Sequence, residues 1–189
     1  MPRLVAAFGL LALLAAGCAG GASAADCDRL PGVRPNLCIT PVEDREPAPT
    51  RVAPILGDAT AETSVTSLAG APAMLNFWGS WCGPCRTEQP ELTEIAERFA
   101  GEVGFLGVNV ADPTPNALAF VREFDVPYPS VHDPAGSYAA AFGGIGPSVM
   151  PSTLLLDGEG RVAVRIFGST DATELTVLLG QLLEEAGRG

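Results

Sequence analysis

The residues with the clearest chemical reading are Cys82 and Cys85, in the run Trp81-Cys82-Gly83-Pro84-Cys85. An apolar run at residues 73–78 ends shortly before them, and Leu92, Ile95, Ala96 and Phe99 recur at helical spacing after them. The cysteines therefore fall where a buried strand gives way to a helix. A thiol at a helix N-terminus lies beside unpaired backbone amides and the positive end of the macrodipole, and both favour thiolate over thiol. Cys82 is thus the expected nucleophile. One turn of helix brings Cys85 within disulfide reach of Cys82, so Cys85 is the expected resolving thiol, able to attack a mixed disulfide formed by Cys82. Pro84 lacks an amide hydrogen that would be unpaired in a first turn anyway, and it stiffens the short Gly83-Pro84 connection. Trp78 and Trp81 are expected to shield this end of the sheet, by packing or by contact with a substrate.

The elements that must position this pair follow a compact α/β pattern. Residues 51–56 and 64–68 predict a short N-terminal hairpin, and Gly70-Ala71-Pro72 is a turn leading into the strand at 73–78. A second apolar strand is expected at 103–110, then a helix at 116–124 with Leu118, Val121 and Phe124 in a stripe, then a stretch punctuated by Pro127 and Pro129. Residues 153–156 and 161–167 flank Asp157-Gly158-Glu159-Gly160, a strong hairpin signal. A last helix at 172–186 offers Leu175, Leu178, Leu179, Leu182 and Leu183 to the core. This order is that of a thioredoxin fold: a central mixed sheet flanked by helices, here with an N-terminal β-hairpin extension and a domain spanning 51–189. His132, the only histidine, reads as a solvated turn residue.

The N-terminal part carries an address. Arg3 and the uncharged apolar run at 4–16 read as an export signal over residues 1–17, too short to remain as a membrane span. Leu14-Ala15-Ala16-Gly17-Cys18 resembles a bacterial lipobox, which would make Cys18 a lipidation site and the protein a lipoprotein on the extracytoplasmic face of the cell membrane; cleavage at Ala22-Ser23-Ala24 would instead release it. Residues 18–50 are expected to form a lipid-anchored or flexible arm. Within it Cys27 and Cys38 enclose ten residues, and export makes a structural disulfide between them the default, worth about 2–3 kcal/mol in the chain-entropy model. The chain has 189 residues, no lysine, and a formal net charge of −11. That balance argues against nucleic acid and anionic lipid headgroups as partners.

The run from Asn76 to Pro90, Asn76-Phe77-Trp78-Gly79-Ser80-Trp81-Cys82-Gly83-Pro84-Cys85-Arg86-Thr87-Glu88-Gln89-Pro90, resembles the membrane-tethered thioredoxins of the TlpA, ResA and DsbE type. Gly107-Val108-Asn109-Val110 and Pro151-Ser152-Thr153 extend the resemblance. It implies an extracytoplasmic thiol–disulfide oxidoreductase that reduces exported proteins, including apocytochrome c thiols in cytochrome c biogenesis. An oxidase of the same fold, a peroxiredoxin-like peroxidase and a redox-inert docking module are the alternatives. It further implies that Pro151 is a cis-proline facing the cysteines, that Met150 offers backbone bonds to an extended substrate alongside Trp81, Gly83 and Pro84, and that Glu88 takes the proton of Cys85. Thioredoxin itself has a buried aspartate where this chain has Asn76, an amide that cannot carry a proton. Pro90 matches a structural helix proline, and the approach to Pro151 at 143–149 is longer than usual. No metal or organic cofactor is implied: Cys82–Cys85 would be the redox centre, in a monomer recharged by a membrane electron donor. A zinc site would need a second pair of ligands, which the spacing of Cys27, Cys38 and His132 does not offer.

Overall fold

The computed structural model describes residues 36–188. The expected signal segment at 1–17, Cys18 and Cys27 lie outside the described residues. Strands β1 (Leu37–Ile39), β2 (Ala53–Ile55), β3 (Asp58–Thr63), β4 (Ala73–Trp78), β5 (Gly104–Val110), β6 (Ser130–Asp133), β7 (Ser152–Leu156) and β8 (Val162–Phe167) alternate with helices α1 (Gly83–Arg98), α2 (Thr114–Glu123), α3 (Ser137–Ala140) and α4 (Ala172–Ala186). Among the described residues the strands form one mixed sheet in the order β1-β8-β7-β4-β5-β6-β2-β3.

Every residue of β4 is buried, as befits a strand that is apolar but for Asn76 and is covered on both faces. It runs parallel to β5 and antiparallel to β7, with Asn76 opposite Gly107 on one side and Thr153 on the other. On one face of the sheet Met74, Leu155 and Val164 pack against Leu92 and Ile95 of α1 and Leu175 and Leu179 of α4; on the other, Leu75, Phe77 and Val108 pack against Tyr138, Phe142 and Ile145. The stripes expected for α1 and α4 face the core, buried at Leu92, Ile95, Ala96, Leu175, Leu178, Leu179 and Leu182 and half-buried at Phe99 and Leu183.

Four expectations are corrected. The second hairpin strand is β3, while residues 65–68 form a 3-10 turn capped by the Ser64 hydroxyl. β3 is an outer strand whose side chains are mostly exposed, so it carries no apolar alternation to betray it. Helix α2 buries Ala117 and Phe120 most deeply, Phe120 stacking on Trp78 at 4.4 Å between ring centroids, and the expected stripe of Leu118, Val121 and Phe124 is only half-buried, with Val121 and Phe124 packed beside them. His132 stands in β6, half-buried, with both ring nitrogens within bonding distance of side-chain oxygens.

The fourth concerns the arm, which is loose only on paper from residue 37 onward. Leu37 to Ile39 pair with Ile166 to Val164 of β8, and the Ala48 amide bonds the Gly160 carbonyl at 3.0 Å. Cys38 is buried and disulfide-bonded. Arg45 completes the attachment: its guanidinium bonds Asp157 at 3.2 Å and Glu185 at 2.8 Å, tying the segment to the β7–β8 turn and to α4. Burial raises the affinity of Asp157 for a proton, but the Arg161 amide and the Arg45 and Arg161 side chains outweigh it and hold the carboxyl below its usual range.

A carboxyl with a depressed pKa lends stability above its unfolded pKa and withdraws it as pH falls through the folded one. Replacing Arg45 by Met is therefore expected to cost about 2 kcal/mol at neutral pH, since a buried carboxylate loses a partner. Urea unfolding should show the gap between variant and parent narrowing as pH falls below about 4, and closing only once pH has passed the depressed pKa of folded Asp157 in the parent. A gap independent of pH would assign the loss to packing alone.

Candidate redox site

The strand-to-helix connection folds as its residues dictate. The Cys82 amide bonds the Gly79 carbonyl at 3.0 Å, which closes a tight turn out of β4. Cys82 then becomes the N-cap of α1: its sulfur accepts the Cys85 amide at 3.2 Å, and Pro84 occupies the first turn, where no amide is needed. Cys82 and Cys85 are joined as a disulfide with α-carbons 5.3 Å apart, and both are buried. An amide directed at the Cys82 sulfur favours the thiolate once the bond is reduced.

Tryptophans flank the pair in unequal roles. Trp78 is buried, stacked on Phe120, and its indole N–H donates to the Ser130 hydroxyl at 3.3 Å. That bond passes over Gly107, where a β-carbon would lie 2.8 Å from the indole nitrogen and 2.2 Å from the Ser130 oxygen. Trp81 is 47% exposed, its indole N–H bonded to the Val110 carbonyl at 3.2 Å. Its ring lies on Gly79, whose missing β-carbon would sit 2.5 Å from the indole nitrogen. An exposed aromatic plate is thus fixed beside Cys82. Behind the pair, the Arg86 guanidinium stands over the Phe124 ring at 5.2 Å and pairs with Glu123.

Glu88 follows Cys85 by three residues and shares its buried helix face with Leu92 and Ile95. It is 3% exposed. Burial pushes its pKa to about 7, against the opposing pull of the Thr170 amide on one carboxylate oxygen and the Asn76 side-chain amide on the other, each at 3.2 Å; the charge of Glu91 adds to the rise. Asn76 also donates to the Thr153 hydroxyl at 3.2 Å. A carboxyl with this pKa can receive or release a proton at neutral pH.

Of the other anticipated residues, Pro151 is buried and follows a cis peptide bond from Met150, and Met150 packs against the cluster that holds Trp78, Cys82, Cys85 and Phe120. Gly83 and Pro84 are exposed at the rim. The 143–149 segment runs through Gly143 and Gly144, both at positive φ, into a 3-10 turn at Pro147–Val149. Sequence reasoning does not single out Ser80, Asp112 or Thr114, and assigns no role to Asn109 beyond the resemblance. Here Asp112 bonds Ser80 and Asn109, and His132 lies between Asn109 and Thr114. Only the closeness of Ser80 to Cys82 hints at this from sequence.

A protein-family model described as Redoxin matches residues 43–181. The thiol:disulfide interchange protein DsbE of Xylella fastidiosa is 41% identical over 118 residues, which make up 62% of this chain and 57% of that protein, so the match spans little more than half of that relative's length. DsbE of Pseudomonas aeruginosa is 34% identical over 145 residues, covering 74% of this chain and 77% of the relative. Among solved structures, a secreted thiol-disulfide isomerase from Corynebacterium glutamicum superposes with a TM-score of 0.75 at 29% identity, over 82% of this chain and 95% of that one.

Two measurements probe this geometry. A raised carboxyl pKa means that the folded chain holds the proton more tightly than the unfolded one, so Glu88 withdraws stability as pH climbs from its ordinary value of 4.5 to about 7. The full cost above that is about 3 kcal/mol. Glu88→Gln is expected to flatten the fall in unfolding free energy between pH 5 and 8 and to be the more stable protein at pH 8; parallel curves would show that Glu88 titrates normally. Gly79→Ala should push the Trp81 indole off its seat, seen as a red-shifted emission and easier acrylamide quenching, whereas an unchanged spectrum would mean that the ring has another support.

Proposed function

The chain belongs to the Redoxin family and, within it, to the DsbE- and ResA-like thiol:disulfide interchange group, and from that premise we propose that it is an extracytoplasmic thiol–disulfide oxidoreductase that reduces disulfides in exported proteins. The observation that carries this reading is the disulfide-linked pair Cys82–Cys85 at the N-cap of α1, with buried Glu88 one turn behind it.

In the reduced protein the Cys82 thiolate attacks one sulfur of a substrate disulfide, and the other sulfur leaves as a thiolate that takes a proton from water. A Cys82–substrate mixed disulfide results. Glu88 accepts the proton of Cys85, whose thiolate attacks the Cys82 sulfur and expels the second substrate thiolate. Two electrons have passed to the substrate, and the pair is a disulfide again. Trp81, the Gly83-Pro84 rim and the backbone at Met150, before cis Pro151, would hold an extended substrate segment. Apocytochrome c thiols are the substrate we favour. The cycle needs no cofactor beyond the pair, but it needs a dithiol donor to restore it, which we take to be a membrane protein carrying electrons outward. Lipidation at Cys18 would hold a monomer at that membrane, and a disulfide between Cys27 and Cys38 would brace the arm.

Direction of transfer depends on potential. Equilibration with glutathione buffers is expected to leave Cys82–Cys85 mostly as the disulfide near −200 mV, as for a pair close to thioredoxin's potential of about −270 mV. A pair still reduced under that poise would make the protein an oxidase and overturn the reductase reading. Cys85→Ser should accumulate a covalent adduct with substrate, and Cys82→Ser should form none.

A further inference from the structure

The loop that presents Cys82 is fastened to the end of β5. One Asp112 carboxylate oxygen accepts the Ser80 amide at 2.6 Å, and the other accepts the Ser80 hydroxyl at 2.7 Å. The next residue, Trp81, is held by the Val110 carbonyl. Between these two anchors Ala111 has a φ of 50°, in the left-handed region. An alanine there costs on the order of 1 kcal/mol or more, and such strain persists only where surrounding contacts fix it. Asp112 is itself 3% exposed and receives a third donor, the Asn109 side-chain amide, at 2.9 Å. The oxygen of that Asn109 side chain meets His132 Nδ1 at 3.2 Å, and His132 Nε2 meets the Thr114 hydroxyl at 3.1 Å. Because the Asp112 carboxylate can only accept, Asn109 turns its side-chain NH2 toward Asp112 and its oxygen toward His132, whose Nδ1 is then the donor.

We propose that Asp112 is a positioning residue for Cys82: its carboxylate clamps Ser80 so that the Cys82 sulfur is presented to the Cys85 amide, and Asn109 and His132 keep that carboxylate aimed. Asp112 touches no reacting atom. It acts through two consecutive loop residues, Ser80 directly and Trp81 by way of the turn that also carries Val110. The inference rests on Cys82 being the nucleophile, and it adds to the pair a support drawn from β5 and β6.

The test is the rate at which iodoacetamide alkylates Cys82 in the reduced full chain, followed against pH and assigned by peptide mass. Asp112→Asn and Asp112→Ala both remove the charge, but only the amide still offers an oxygen to the Ser80 amide. The expected result is an Asp112→Ala rate at pH 7 about fivefold below that of Asp112→Asn, the equivalent of one lost hydrogen bond, with the apparent Cys82 pKa raised. Ser80→Ala, a change at the partly exposed end of the contact, should fall between. Equal profiles for the alanine and asparagine variants, or a Ser80→Ala profile matching the parent, would overturn the clamp, even if the melting temperature drops. Alkylation requires no protein substrate, so the two readings fail separately: a parent chain whose Cys82 reacts no faster than a free cysteine defeats the nucleophile assignment, whereas a fast parent with indifferent variants defeats only the role of Asp112.

Discussion

At the start of α1 a sulfur atom takes the place usually held by a hydroxyl or carboxylate oxygen. The Cys85 amide points at the Cys82 sulfur, and the site is arranged around that contact. It requires β4 to end in a tight turn at Gly79, which leaves room for the Trp81 indole, and it requires a first turn that tolerates Pro84. It also fixes the phase of the helix. With Cys82 as cap, Cys85 must face inward, and Glu88, one turn on, must share that inward face with Leu92. One bond at a helix end thereby decides which carboxyl is buried.

Burying that carboxyl costs stability at neutral pH. Asn76 and the Thr170 amide supply two hydrogen bonds, neither from a charged group, and together they fall short of what water would provide. A glutamine or leucine would suit the same helix face with less penalty at neutral pH. The chain tolerates the penalty because the scaffold around it is well covered: β4 is enclosed on both sides, and α1 and α4 close over it through leucine and isoleucine. Two other buried acids, Asp157 and Asp112, differ in kind, since one meets arginines and the other three neutral donors.

Much of this was legible in the sequence where local periodicity and local chemistry coincide. The strand at 73–78, the inward stripe of α1, the turn at Asp157-Gly158-Glu159-Gly160 and the cysteine pair all announce themselves within a dozen residues. Pro151 was legible only through resemblance. What escaped notice depends on partners distant in the chain. β1 is three residues long and forms because β8 has an unpaired edge; nothing in Leu37-Cys38-Ile39 requires a strand. β3 lies at the outer end of the sheet, where polar side chains are no obstacle. The Asp112, Asn109 and His132 contacts arise because β5 and β6 run parallel and in register, placing Asn109 opposite His132. Hydrogen bonding between the ends of separate strands leaves no periodic trace.

The seat of Trp81 on Gly79 has an optical side. The chain contains two tryptophans, Trp78 and Trp81, and both lie within four residues of Cys82. One is shut inside the sheet and stacked on a phenylalanine; the other lies half open above the turn. All indole emission from this protein therefore originates beside the sulfur pair, where a disulfide is a contact quencher and a thiolate is a different one. The molecule carries its own lamp at the cysteine pair, and no label need be added to watch that bond open or close.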